Sequence, residues 1–302
     1  MIKVIFIILV LLLIIFLVGS FISAYIITHG RRQTMDESWQ WEYDNVPGIR
    51  RFTRDMFTNY SIKGPKDEDI YVSLLPAKEA SNRYVILAHG YTDTRYGMMK
   101  YVPHYYDLGF NCILFDERGH GMSKPEPCSY SLREPDFLIA VFEDSLKRYG
   151  EDIIIGLHGE SLGSATVLTS LVNETIKEKA AFAVEDCGFV EIIPVIKGLM
   201  KPMHVPTFMV YPASIAATIM YGISFFKARP IKYVKGNKIP LLCIHGADDK
   251  VILSSNSERA YEATEGIKEL HLIKGADHAL SAVVAPEEYG KIISNFINKV
   301  IS

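Results

Sequence analysis

Residues 153–165 read IIIGLHGESLGSA. An apolar run closes on Gly159, Glu160, Ser161, Leu162 and Gly163, and small or apolar residues continue beyond it. The pattern predicts a buried strand, a very tight turn and a helix that starts at once. A turn that tight holds its middle residue in a strained backbone conformation, so the positions two residues to either side must lack bulk, which glycine supplies. Ser161 then stands at the tip of the turn. The helix behind it offers free N–H groups, beginning with Leu162, where negative charge appears if Ser161 attacks a carbonyl.

The pentapeptide G-x-S-x-G is a nucleophile elbow when it follows a strand and opens a helix, as it does here. Alone it also describes an ordinary glycine-rich turn, so the reading rests on the rest of the chain.

The chain has 302 residues, 49% hydrophobic and 22% charged, enough for one large α/β domain with its own core. A net charge of -3 and the lack of a basic stripe predict no nucleic-acid partner. Cys112, Cys128, Cys187 and Cys243 show neither C-x-x-C nor Cys/His spacing, so no metal or redox motif is expected.

From Val4 to Thr28 no residue is charged. At about 1.5 Å per residue this stretch exceeds the roughly 30 Å hydrocarbon core of a bilayer. Residues 1–30 are therefore expected to be a membrane anchor, single-pass, with the rest of the chain outside the cytoplasm. A cleaved signal peptide cut near Ser23 or Ala24 is the competing reading. Lys3 on one side and Arg31 and Arg32 on the other nearly balance the positive-inside count. Residues 31–55, with Trp39, Trp41 and Tyr43, are expected to be a juxtamembrane linker. Its aromatics rest either at the headgroups or on the following domain.

From residue 56 to 302 short apolar runs alternate with helical stretches. Strands are expected at 57–62, 70–75, 84–88, 111–115, 153–157, 180–184, 241–244 and 269–273, the first two as an edge hairpin. Helices are expected at 135–149, 161–176 and 286–301. This alternation predicts an α/β fold, a mostly parallel sheet covered on both faces, with its site at the carboxyl ends of the strands. Those ends carry His89–Asp93, Asp116–Gly121, Glu185 and Asp186, His245–Asp249, and Gly275–His278.

Five stretches, HGYTDTR from His89, FDERGHGMS from Phe115, HGESLGS from His158, IHGADDKV from Ile244 and GADHALS from Gly275, stand in an order that resembles the α/β-hydrolase family. Within it, the chain is similar to membrane-anchored bacterial serine hydrolases of the serine aminopeptidase-like and esterase-like kind. The resemblance implies a triad in the order Ser, acid, His. Ser161 would be the nucleophile and His278 the general base. An imidazole must take the hydroxyl proton, and a carboxylate must fix that imidazole's tautomer and stabilise its cation. For the acid the family position selects Asp249; Asp248 and Asp186 are the alternatives. The resemblance further implies oxyanion donors at the N–H groups of Tyr91 and Leu162, and a lid-like segment at 189–232. Its Met200, Met203, Phe208, Met209, Tyr211 and Met220 fit either an acyl-binding lining or a core helix.

The expected activity is cleavage of a carboxylic ester of a small or acyl-type substrate through an acyl-serine intermediate, with no metal or organic cofactor. A peptidase or amidase acting on small peptides is the alternative enzyme. An inactive, membrane-anchored binding protein is the alternative from another class.

Overall fold

The computed structural model describes residues 1–301. Its strands are β1 (Thr58–Lys63), β2 (Asp69–Leu75), β3 (Arg83–Ala88), β4 (Asn111–Phe115), β5 (Ile154–Glu160), β6 (Ala180–Asp186), β7 (Leu241–Gly246) and β8 (Lys268–Ile273). They form one eight-stranded sheet in the order β1-β2-β4-β3-β5-β6-β7-β8. The β1–β2 and β2–β4 pairs are antiparallel; every other pair is parallel. The polar edge hairpin and the continuously apolar central strands therefore occupy the places their patterns assign to them.

The helices are α1 (Ile2–Thr28), α2 (Met35–Asn45), α3 (Val102–Tyr106), α4 (Glu134–Tyr149), α5 (Leu162–Ser170), α6 (Glu174–Lys179), α7 (Ile192–Met200), α8 (Val210–Tyr221), α9 (Ile231–Val234), α10 (Ser255–Ala263), α11 (Ser281–Val284) and α12 (Pro286–Val300). On one face of the sheet Val85, Phe182 and Leu242 share a core with Tyr101, Tyr289 and Phe296. On the other, Ile86, Leu157 and Cys243 share one with Phe142 and Leu168. A third core lies under α7 and α8, around Phe189, Ile192, Ala213, Ala217 and Phe225.

One expectation changes. The helix expected over 161–176 is two, because the Asn173 side chain accepts the Ile176 N–H and starts a new helix at Glu174. Of the two placements open to the aromatics of 31–55, Trp39 takes the one on the domain. Thr34 and Glu37 close a capping box on α2. Trp39 then packs edge-on against Phe57 and Tyr96, while Ile49 and Phe52 are buried in the main core.

The end of α1 is also part of the domain. Ser20, Ala24 and Thr28, spaced one helical turn apart, are buried, and Ala24 shares a core with Ala213, Ala216 and Ala217 of α8. The Ile27 carbonyl accepts hydrogen bonds from the hydroxyls of Tyr91, at 3.0 Å, and Tyr130, at 2.5 Å. The Thr28 carbonyl accepts the Cys128 N–H. Residues Ile2 to Val18 are exposed and, but for Lys3, apolar, and α1 as a whole is long and apolar enough to cross a membrane.

Candidate active site

The elbow has the geometry its sequence demands. Ser161 sits at φ 53°, ψ -107°, between β5 and α5. A Cβ on Gly159 would come within 2.2 Å of the Gly163 carbonyl oxygen, and one on Gly163 within 2.0 Å of that of Ala88. Both contacts are to backbone, so neither can relax by a rotamer change.

At the carboxyl edge of the sheet Ser161 Oγ lies 2.9 Å from His278 Nε2, and His278 Nδ1 lies 2.7 Å from Asp249 Oδ2. His278 follows β8, and Asp249 follows β7. Each therefore arrives on its own loop, and the sheet sets their spacing. Asp249 Oδ1 accepts the N–H groups of Val251 and Ile252, which fixes the carboxylate plane. Burial disfavours the charge on Asp249, but hydrogen bonds with His245 and His278 outweigh it and hold the carboxyl well below its usual range. The acid therefore stays ionised beside His278.

The other acids are otherwise engaged. Asp248 Oδ2 accepts the Gly275 N–H, a turn contact. Asp186 accepts the Tyr289 hydroxyl at 2.8 Å, and burial raises its carboxyl to about 7. His89 bridges the Glu117 N–H and the Gly90 carbonyl, and His158 lies between the Tyr105 and Tyr289 hydroxyls. Leu162 is the first residue of α5, so its N–H has no intrahelical partner. The Gly90–Tyr91 turn passes directly over the nucleophile, a Cβ on Gly90 lying 3.6 Å from that of Ser161.

Three features escaped the sequence reading. His245, read as strand-end packing, places Nε2 3.1 Å from Asp249 Oδ2 and 2.7 Å from the Ile252 carbonyl. Its Nδ1 meets Ser257, which donates to Glu185. The acid is thus held from two sides, and its partner four residues upstream could have been suspected from the H-x-x-x-D spacing. Cys187, at φ 46°, brings Sγ close to the side chains of Asp249 and His278. Burial pushes this thiol well above its ordinary value, so it stands beside the array as a neutral neighbour. Behind the elbow, Glu160 accepts hydrogen bonds from Lys100 and Tyr101, both at 2.7 Å, and Glu42 of α2 stands 3.4 Å from the same lysine.

Two cavities reach His278. One, of about 220 Å³, is lined mainly by apolar side chains, among them Tyr130, Phe189, Ile192, Val195, Ile196 and Ile252, with Ser161 in its wall. The other, of about 160 Å³, is lined by Ser38, Asp93, Lys100 and Glu160 among others. The site thus offers one apolar and one polar compartment beside a serine–histidine–aspartate array.

This fold, with a nucleophile elbow on its central strand, defines an α/β hydrolase. The family model described as alpha/beta hydrolase fold matches residues 84–184, β3 to β6, and the chain has that fold. It is 28% identical over 218 residues to the uncharacterized protein YqkD of Bacillus subtilis (strain 168), covering 72% of this chain and 71% of YqkD. It is 27% identical over 200 residues to the uncharacterized protein YfhR of Escherichia coli O157:H7, covering 64% of this chain and 62% of YfhR. Among solved structures it is similar to the Pyrococcus furiosus esterase Pf2001. The TM-score is 0.67 at 21% identity, over 83% of this chain and 96% of the esterase.

Proposed function

We propose that the protein is a serine hydrolase that cleaves carboxylic esters, anchored to the membrane by an uncleaved α1. The observation that carries the chemistry is the hydrogen-bonded run from Ser161 Oγ through His278 to Asp249. In this reading the Ser161 hydroxyl gives its proton to His278 Nε2 as Oγ bonds to the substrate carbonyl carbon. The resulting oxyanion meets the N–H groups of Leu162 and Tyr91, where one donor is worth about 3–4 kcal/mol in the transition state. The ester C–O bond breaks, and the alkoxide leaves with the proton from His278. Water, deprotonated by the same imidazole, then releases the acid and restores Ser161.

The apolar cavity suits the acyl group and the polar one the leaving alcohol, which favours esters with dissimilar halves. Retention of α1 is supported by its docked end: a cut near Ser23 or Ala24 would leave the last turn without the helix that orders it. In this reading the catalytic domain lies on the extracytoplasmic side.

The test is fluorophosphonate labelling of the full-length, detergent-solubilised protein, followed by peptide mapping and ester assays. A single adduct on Ser161 with ester turnover is expected, on a chain whose mass includes residues 1–30. A folded sample that takes no label would overturn the enzyme reading in favour of a binding protein. Hydrolysis of short peptides but not esters would move the activity to the peptidase alternative.

A further inference from the structure

Helix α8 buries one face and leaves most of the other exposed, where only Tyr211 is engaged, by Lys197 and the Phe226 ring. Val210, Ala213, Ser214 and Ala217 turn inward. Tyr211, Ile215 and Ile219 turn outward, and Ile219 is 70% exposed. Their spacing of four residues makes one stripe. It is joined by Phe208 and by Met203, 66% exposed, on the α7–α8 connection. Leu199, in the last turn of α7 just before this connection, lines the apolar cavity and is itself 46% exposed. An apolar outer surface of this kind marks an interaction site.

The neighbour of this surface is α1. A Cβ on Gly19 would lie 3.9 Å from the terminal methyl of Met209, just before α8 begins. Gly19 is 17 residues beyond Ile2, the first residue of α1, a rise of about 26 Å. That is still within the roughly 30 Å of a hydrocarbon core entered at Ile2. The lid therefore meets the spanning helix at membrane depth. Charge agrees with this placement. No residue from Ile192 to Lys232 is acidic, whereas Lys197, Lys201, Lys227, Arg229 and Lys232 are basic, in a chain of net charge -3. Lys201, Lys227 and Lys232 are exposed, where anionic headgroups attract them.

We propose that the outer face of α8 and the α7–α8 connection are sunk in the leaflet, and that the substrate is an acyl lipid ester drawn from that leaflet past Leu199. The substrate half rests on the hydrolase reading above: one water is consumed, and a fatty acid and an alcohol are released. The depth half rests on the anchor reading above, in which α1 fixes the bilayer beside this apolar face and lipid is its occupant.

The experiment uses the full chain in bilayers of phosphatidylcholine and phosphatidylglycerol. For depth, Ile215→Trp is reconstituted with lipids brominated on the acyl chain, and its fluorescence is read as the difference from wild type, whose tryptophans are Trp39 and Trp41. For substrate, Ile215→Glu and Ile219→Glu are assayed on monooleoylglycerol in the same bilayers and on water-soluble p-nitrophenyl acetate. Quenching of Trp at 215 is expected. So is a loss of roughly tenfold or more on monooleoylglycerol, with acetate ester turnover unchanged. An unquenched Trp at 215 overturns the proposal, including the case where its emission depends on protein concentration and a second copy covers the face. Equal losses on both esters also overturn it; Ile215→Ser serves if the Glu variants do not fold. Quenching without turnover of either ester removes the hydrolase reading and the substrate half, while supporting the buried lid.

Discussion

The Tyr91 hydroxyl stands 3.0 Å from the carbonyl oxygen of Ile27, so a residue of the proposed oxyanion loop is bonded to the last turn of α1. Tyr130, in the wall of the apolar cavity, uses the same acceptor. Tyr91→Phe is expected to cost about 1 kcal/mol of stability and to lower the unfolding midpoint by about 2–4 °C. Thermal unfolding of both proteins in one detergent measures it. Removal of residues 1–28 should cost more, because Ala24 and Thr28 leave a core behind; a truncated domain as stable as the full chain would show the docking to be idle.

The choice of acid is tested by comparing three substitutions. Asp249→Asn should reduce kcat by roughly four orders of magnitude, because the imidazole loses both its orientation and its counter-charge. Asp248→Asn should leave kcat near wild type, since that carboxylate serves a turn. Asp186→Asn should also turn over normally, its partner being Tyr289. Ester kinetics on folded samples separate them.

His245→Ala should weaken the array without touching its reacting atoms. Loss of one of the two imidazoles on Asp249 lets that carboxyl move back toward its usual range. The expected result is a fall in kcat at unchanged KM, deepening as pH is lowered. His245→Gln, which can still donate to Asp249, should recover part of the rate.

Gly159→Ala and Gly163→Ala each force a methyl into backbone atoms about 2 Å away. A loss of at least about 1–3 kcal/mol is expected from each, read by unfolding midpoint and by the yield of folded protein.

The buried group Glu42–Lys100–Glu160 places two carboxylates on one cation. Burial, only partly opposed by Lys100, raises Glu42 from 4.5 to about 8. Because the folded state holds this proton and the unfolded state has lost it, stability should fall as pH rises through that window and level off above it. Glu42→Gln should therefore gain on wild type between those limits. Lys100→Met, which strands Glu160, should cost about 3–5 kcal/mol. Melting curves across pH decide both.

Much of this is legible in the sequence. Strand runs such as 85–88 and 112–115 are continuously apolar because both of their faces are buried. Ser161, Asp249 and His278 follow strands and so had to share an edge. What could not be read was which side of an element meets which neighbour. Hydropathy sees α1 as uniformly apolar, yet Ser20, Ala24 and Thr28 form a stripe of small residues that seats it on α8. The stretch 31–55 is polar in composition, but Val46, Ile49 and Phe52 tie it to the core, with Met35 and Trp39 packed against them. The His245–Asp249 contact needed the turn after β7 to be closed before it existed.

In the proposed anchoring, the seating of α1 makes the helix a shaft rather than a leash. A flexible tether lets an enzyme tumble above the lipid surface and sample it from any angle. Here the rotation of one helix sets the heading of the whole domain. One residue inserted between Val18 and Ser20 would turn everything beneath it by about 100° and advance it by about 1.5 Å. The domain could then keep its orientation only by letting go of the helix.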